Sequence, residues 1–204
     1  SLYATRNPRD SVVPDACEQG TGIGNCHFVS AMTSLAQTDP QAIVRMITDN
    51  NNGTYTVRFP GQTPITVNRP TNAELAYYGT GSSHGLWATV LQNAYGRLWS
   101  PNDTANPAIE GAGTSIRSDG LRTLTGESLS TTHTGRLTYW STLHTNLALA
   151  NQRPTTATVF SEVGELFGRD PSTGFTGGHE YSILSFVPNA QNNREARVTV
   201  QNPH

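Results

Sequence analysis

Along the first half of the chain apolar residues recur at helical spacing; along the last quarter they alternate with polar ones. Phe28, Met32, Leu35 and Ala36 follow Cys26 at intervals of three or four, which predicts a helix from Cys26 with Asn25 as its N-cap. Asp39 and Pro40 interrupt that pattern, and a second short helix is predicted over 41–47, stopped by Asn50, Asn51, Asn52 and Gly53. Residues 54–59 (TYTVRF) alternate, Gly61 turns the chain, and 65–68 returns, so a hairpin is expected. The clearest helix is 83–98 (SHGLWATVLQNAYGRL), with Leu86, Val90, Leu91, Ala94 and Leu98 on one face. Residues 100–113 read as a polar loop, and 119–125 as a short apolar patch of undecided type. A further helix is predicted over 137–151. Strands follow at 155–160 (TTATVF), 180–187 (EYSILSFV) and 196–201 (ARVTVQ), the last two joined by a turn at 189–193. A helical part over 1–130 therefore precedes a β-rich part over 131–204, which makes the fold class α+β.

Composition narrows this picture. A chain of 204 residues holds one domain or two small lobes about a shared cleft, and buries a core without disulfides or a structural metal. The net charge of -2 gives no electrostatic reason to expect nucleic acid or an anionic membrane as partner. No apolar run approaches the roughly 20 residues of a membrane span. The first residue is Ser1, so an excised domain or a processed product is expected. All 13 basic residues are arginine. Nucleotide composition would account for that, and so would selection against lysine modification in a secreted protein acting inside a foreign cell.

Candidate chemistry centres on Cys26. A nucleophilic thiolate needs exposure, a positive potential and a nearby base. Cys26 follows the glycine-bearing loop Gly20, Gly22, Gly24 and opens a helix, whose N-terminal dipole favours an anion. Loop glycines let backbone amides point inward as an oxyanion hole requires, and Gln19 offers a side-chain amide to the same oxyanion. Far downstream, His179 begins a strand directly after Gly177 and Gly178, which leave room for a substrate backbone. Asn202 ends the next strand. A tight turn between antiparallel neighbours brings it beside His179, where its oxygen fixes the imidazole tautomer. Cys17, the other cysteine, reads as a buried small hydrophobe, with a regulatory Cys17–Cys26 disulfide as the rarer alternative.

The order of these residues resembles the calpain family of papain-like cysteine peptidases. Residues 19–36 (QGTGIGNCHFVSAMTSLA) are similar to the segment carrying that family's oxyanion glutamine and catalytic cysteine. Residues 86–98 (LWATVLQNAYGRL) resemble its long helix, and 119–126 (DGLRTLTG) the stretch after it. Residues 178–182 (GHEYS) resemble GHAYS, and 198–203 (VTVQNP) the strand ending in asparagine-proline. The resemblance implies a two-lobe papain-like fold, with a helical lobe followed by an antiparallel β-barrel-like lobe and the cleft between them. It implies Cys26 as nucleophile, His179 as base, Asn202 as its orienter and Gln19 as oxyanion donor. Three departures stand out. Gln19 lies seven rather than six residues before Cys26, and His27 and His204 occupy positions where relatives carry tryptophan, so a wetter site is expected. Relatives also hold calcium in the helical lobe, and Asp15 and Asp119 fall at matching places; calcium takes six or more oxygens, of which these supply two side chains.

The expected function is a cysteine endopeptidase acting on protein or peptide substrates through a thioester, with calcium as a conditional cofactor. Self-processing of a larger parent chain, an effector or toxin role, and control by a protein inhibitor are expectations of the same kind. The compartment is not legible. Two rivals keep the cysteine: a transglutaminase or deamidase, and a degenerate binding module. His27, His84, His133, His144 and His204 show no metal-ligand spacing, and Trp87, Trp99 and Trp140 read as core or interface residues.

Overall fold

The computed structural model describes residues 1–20, 22–79, 82–101, 119–132, 140–159, 174–189 and 195–204. Helix α1, Cys26–Thr38, is the hub. Every residue from His27 to Ala36 on it is buried, so it must satisfy its polar side chains internally. Thr33 Oγ1 donates to the Val29 carbonyl at 2.8 Å, and Thr38 Oγ1 to that of Ser34 at 2.9 Å. Helix α2, Pro40–Met46, starts where Asp39 accepts from the Ala42 amide at 3.1 Å with proline in the first turn. It ends one residue earlier than expected, because Ile47 turns extended and opens strand β1, Ile47–Asp49. β1 pairs with β2, Thr54–Val57, and β2 with β3, Ile65–Asn68, in an antiparallel sheet.

Helix α3, Asn72–Tyr77, was not anticipated; Thr71 and Glu74 form a reciprocal capping box at its start. Helix α4, Trp87–Trp99, begins four residues later than its pattern suggested. Gly85, at φ 92°, breaks the run where the Leu2–Tyr3 backbone crosses, and Ser82–His84 forms only a 3-10 turn. The undecided patch is helix α5, Asp119–Thr125. α5 crosses α1 at Gly120, where a Cβ would meet the His27 carbonyl oxygen at 2.5 Å. These elements share one apolar core. Phe28 stacks on Tyr95 with centroids 4.0 Å apart, and Met32, Ile43, Val57, Trp87, Leu91 and Leu124 close around them. Trp87 is fully buried and donates to the Ser11 carbonyl at 2.9 Å, as a core residue should, whereas Trp99, expected in the core or at an interface, is half exposed and stands outside the core.

Helix α6, Trp140–Leu149, precedes a second antiparallel sheet of β4, Thr156–Val159, β5, His179–Val187, and β6, Arg197–Gln201, with β5 in the middle. Asn151, just past α6, clamps β5 by donating to the Phe186 carbonyl and accepting from its amide, both at 2.8 Å. The chain is thus a mixed α+β protein with two small sheets; among the described residues neither sheet closes into the barrel-like lobe that the resemblance implied. The expected loop at 100–113 and turn at 189–193 lie largely outside the described residues. No described helix is long and apolar enough to cross a membrane.

Candidate active site

Two elements build the site: the N-terminus of α1 and the head of β5, which pack together along α1's polar flank. Ser182 Oγ on β5 donates to the Ser30 carbonyl at 2.8 Å. One turn on, Ser34 Oγ donates to the Thr155 carbonyl at 3.0 Å and accepts from its amide at 2.7 Å. These bonds fix β4 and β5 against the helix and set the Cys26 thiol beside the Glu180 backbone. Cys26 is a partly buried free thiol; burial pushes its pKa up, the Glu180 backbone pulls the other way, and the Glu180 charge raises it again. Cys17 is a free thiol too, fully buried.

Asn25 does not cap α1. Its ψ of 25° turns the side chain away from the helix, and it donates instead to Gln92 Oε1 of α4 at 2.7 Å in the interior. That bond ties the residue before the thiol to the buried helix α4 and leaves the first amides of α1 open to an anion. The loop before it is held as closely: a Cβ on Gly20 would lie 1.7 Å from the Tyr77 carbonyl oxygen, so only glycine fits there.

Register explains the other half of the site. Ser182 pairs with Gln201, and carrying that pairing onward sets Tyr181 across from Asn202 and His179 across from His204. Alternation then puts all four side chains on one face. His179 Nε2 donates to Asn202 Oδ1 at 2.9 Å, and the same oxygen accepts from the His204 amide at 3.1 Å. With Nε2 engaged, Nδ1 is the ring nitrogen left to act as base. Tyr181 meets the imidazole edge-on with centroids 4.9 Å apart, and His204 stacks on it at 4.8 Å and 15°. Burial lowers the His179 pKa, the Asn202 bond raises it, and the His204 charge lowers it again. A histidine ring thus covers the His179–Asn202 pair where a wetter site was expected.

Gln19 is buried next to this pair. Its amide donates to the Pro203 carbonyl at 2.6 Å, while its side-chain nitrogen donates to the Ile23 carbonyl at 2.5 Å within its own loop. Gly177 and Gly178 form the turn into β5; Gly178 adopts φ 67°, and its amide donates to the Val159 carbonyl at 2.8 Å. His27, beside the thiol in sequence, points into the core, where Nε2 meets the Tyr95 hydroxyl at 2.9 Å; burial lowers its pKa to about 4.

The calcium candidates sit on different elements. Asp15 lines a groove of about 280 Å³ with Glu18, Gln19 and Asn202. Asp119 opens α5, where its charge acts on His27 and Tyr95. Among the described residues no three histidine, cysteine or acidic side chains gather as a metal site.

Motif analysis overlooked two residues of this site. Gln92 carries no local signal for its bond to Asn25. Glu180 does: it is a carboxylate in an apolar strand next to the histidine, a combination that calls for a reason. A family model described as calpain family cysteine protease matches residues 9–204. No curated protein matches the chain.

Proposed function

Because the chain belongs to the calpain family of cysteine proteases, we propose that it is an endopeptidase in which Cys26 and His179 form the catalytic dyad. The observation that supports this best is the His179–Asn202 bond, which engages Nε2 and leaves Nδ1 as the nitrogen that can serve as base. In this reading His179 removes the Cys26 proton, and the thiolate attacks a peptide carbonyl carbon. The C–N bond then breaks as the imidazolium protonates the leaving amine. Water, giving a proton back to His179, hydrolyses the thioester and regenerates the thiol. The Cys26 backbone amide is the oxyanion donor; Gln19 joins it once its side chain exchanges the Ile23 carbonyl for the oxyanion. The substrate is an extended segment of another protein, and self-processing of a parent chain or delivery as an effector module are the roles that such an activity would serve.

The test is cleavage of unfolded casein by the protein and by Cys26→Ala, each with calcium and with chelator. Cleavage by the parent and a loss of about 10³-fold or more in the alanine variant is the expected result. The chelator lane decides calcium dependence. A second reading, a thiol-bearing binding module, draws on one observation: the Gln19 side chain and the Gly178 amide are both occupied by internal partners. Failure of an electrophilic peptide mimic to label Cys26 would favour it.

A further inference from the structure

The loop that leads into Cys26 has little stiffness of its own, since Gly20, Gly22 and Gly24 follow one another at every second position. Yet it must hold two groups still: the Gln19 side chain and the Cys26 amide, the two donors assigned above to the oxyanion. Ordering such a backbone costs free energy, so contacts from outside the loop have to supply it.

The C-terminal end of α3 makes those contacts. Tyr77 touches the loop in three places. Its carbonyl oxygen fills the space that a Cβ on Gly20 would need. Its ring lies over Gly22, whose Cβ would meet Cε2 at 3.4 Å. Its hydroxyl donates to the Gly22 carbonyl at 3.0 Å. Two residues on, Gly79 adopts φ 71°, and a Cβ there would come within 2.9 Å of both the Gln19 carbonyl carbon and the Gly20 nitrogen. The platform under the loop is itself anchored. Tyr78 is buried and meets the Tyr77 ring edge-on with centroids 5.7 Å apart, and Asn93 Nδ2 of α4 donates to Glu74 Oε1 of α3 at 3.4 Å.

The hydroxyl contact governs the direction of the chain. A trans peptide unit is planar, so pinning the Gly22 carbonyl aims the Ile23 amide the opposite way. That amide donates to the Gly20 carbonyl at 3.4 Å and closes a turn, and the Ile23 carbonyl then receives the Gln19 side chain. One bond from outside the loop thus sets where Gln19 waits and how the chain enters Asn25 and Cys26.

Resting on the dyad reading above, we propose that Tyr77 is a latch on the oxyanion site: its hydroxyl holds the Gly22–Ile23 peptide so that the Cys26 amide and the Gln19 side chain stay within reach of one oxyanion. Tyr77 is a positioning residue. It acts through the loop and leaves the reactivity of the thiol alone.

The experiment compares the parent with Tyr77→Phe, which keeps the ring and removes the hydroxyl, using two reagents for the same thiol. A peptide aldehyde needs the oxyanion site: the Cys26 sulfur bonds to its carbonyl carbon, and the thiol proton passes to the oxygen, which sits where the oxyanion would. Iodoacetamide does not need it, because the sulfur displaces iodide at a saturated carbon and releases its proton to solvent. Aldehyde affinity is expected to fall about tenfold in Tyr77→Phe, less than the roughly 10²–10³ that loss of a whole oxyanion donor costs. Alkylation of Cys26 should keep its parental rate, and amide exchange at Ile23 should quicken while α4 stays protected. Equal aldehyde affinity in the two proteins, or an equal fall with both reagents, overturns the latch. Alkylation of the buried Cys17 in Tyr77→Phe overturns it as well, since the hydroxyl would then hold the fold rather than the loop. If the parent binds no aldehyde, the dyad reading falls and exchange alone decides: faster exchange at Ile23 keeps Tyr77 as the holder of the loop, and parental exchange removes it.

Discussion

The two flanks of α1 are held by different forces. On the flank facing α4 and α5, Phe28, Met32 and Leu35 enter a continuous apolar core drawn from the first 125 residues. On the flank facing β4 and β5, Ser30 and Ser34 meet the sheet through hydrogen bonds, and the sheet's buried Tyr181, Ile183 and Phe186 stand apart from that core. Cys26, the proposed nucleophile, is thereby anchored in the close-packed half, and His179, its proposed base, in a half joined by a few polar contacts. Apolar packing is stiff and insensitive to pH. Hydrogen-bonded seams with a buried acid respond to both geometry and charge.

The largest effect that tests this contrast is removal of the aromatic centre. Phe28→Ala deletes a fully buried ring stacked on Tyr95 and should cost about 3–5 kcal/mol, read by urea unfolding. The loss should be global: all probes, from α4 tryptophan fluorescence to amide exchange in β5, should fall together. If α4 keeps its parental exchange while α1 opens, the single-core description of the helical flank fails.

Much of this arrangement was legible in the sequence, because periodicity reports burial and burial places the helices. α1, α4 and the strands β5 and β6 follow from the spacing of Phe28, Leu91 and Ile183 with their neighbours. His179 and Asn202 were readable as strand-end neighbours because a tight antiparallel turn leaves few registers. Tertiary contacts overrode the rest. Asn25 has an N-cap's identity but spends its amide on Gln92, and Gly85 ends a helical pattern because Leu2 passes against it. Ile47 fits the helix period yet pairs with Val57. The α3 signal, Thr71 with Glu74, was present and went unread. Glu180 was hidden by its setting, since the residues on either side fit the motif and drew attention from the one that does not.

A second, smaller effect separates the flanks by pH. His27, buried on the core side, has its pKa lowered from 6.5 to about 4 by burial. The unfolded chain binds that proton first, so the contribution is whole above pH 6.5 and is lost as pH falls toward 4, by about 3 kcal/mol. Glu180, on the sheet side, is raised above its ordinary 4.5 by burial. Its contribution is whole below 4.5 and is lost as pH rises through the folded value. Urea midpoints between pH 4 and 7 should show His27→Gln losing less stability toward acid than the parent. Equal acid slopes in the two would mean that His27 is solvated, and the core flank more open than its packing indicates.

The smallest effect is the most local. Ser34 joins α1 to Thr155 by one bond given and one received, at 3.0 and 2.7 Å, so Ser34→Ala leaves both the Thr155 amide and its carbonyl without that partner. Each bond is worth about 1 kcal/mol net, which puts the loss at about 1–2 kcal/mol. The methyl fits the space of the hydroxymethyl, so the apolar flank has no reason to rearrange. Amide exchange should therefore quicken in β4 and at the head of β5 while α4 stays protected. Because β5 carries His179, proteolysis should fall by more than the unfolded fraction explains, through misplacement of the proposed base relative to Cys26. An equal rise in exchange on both flanks would mean that the serine seam belongs to the same cooperative unit as the core, and the division along α1 would be one of chemistry alone.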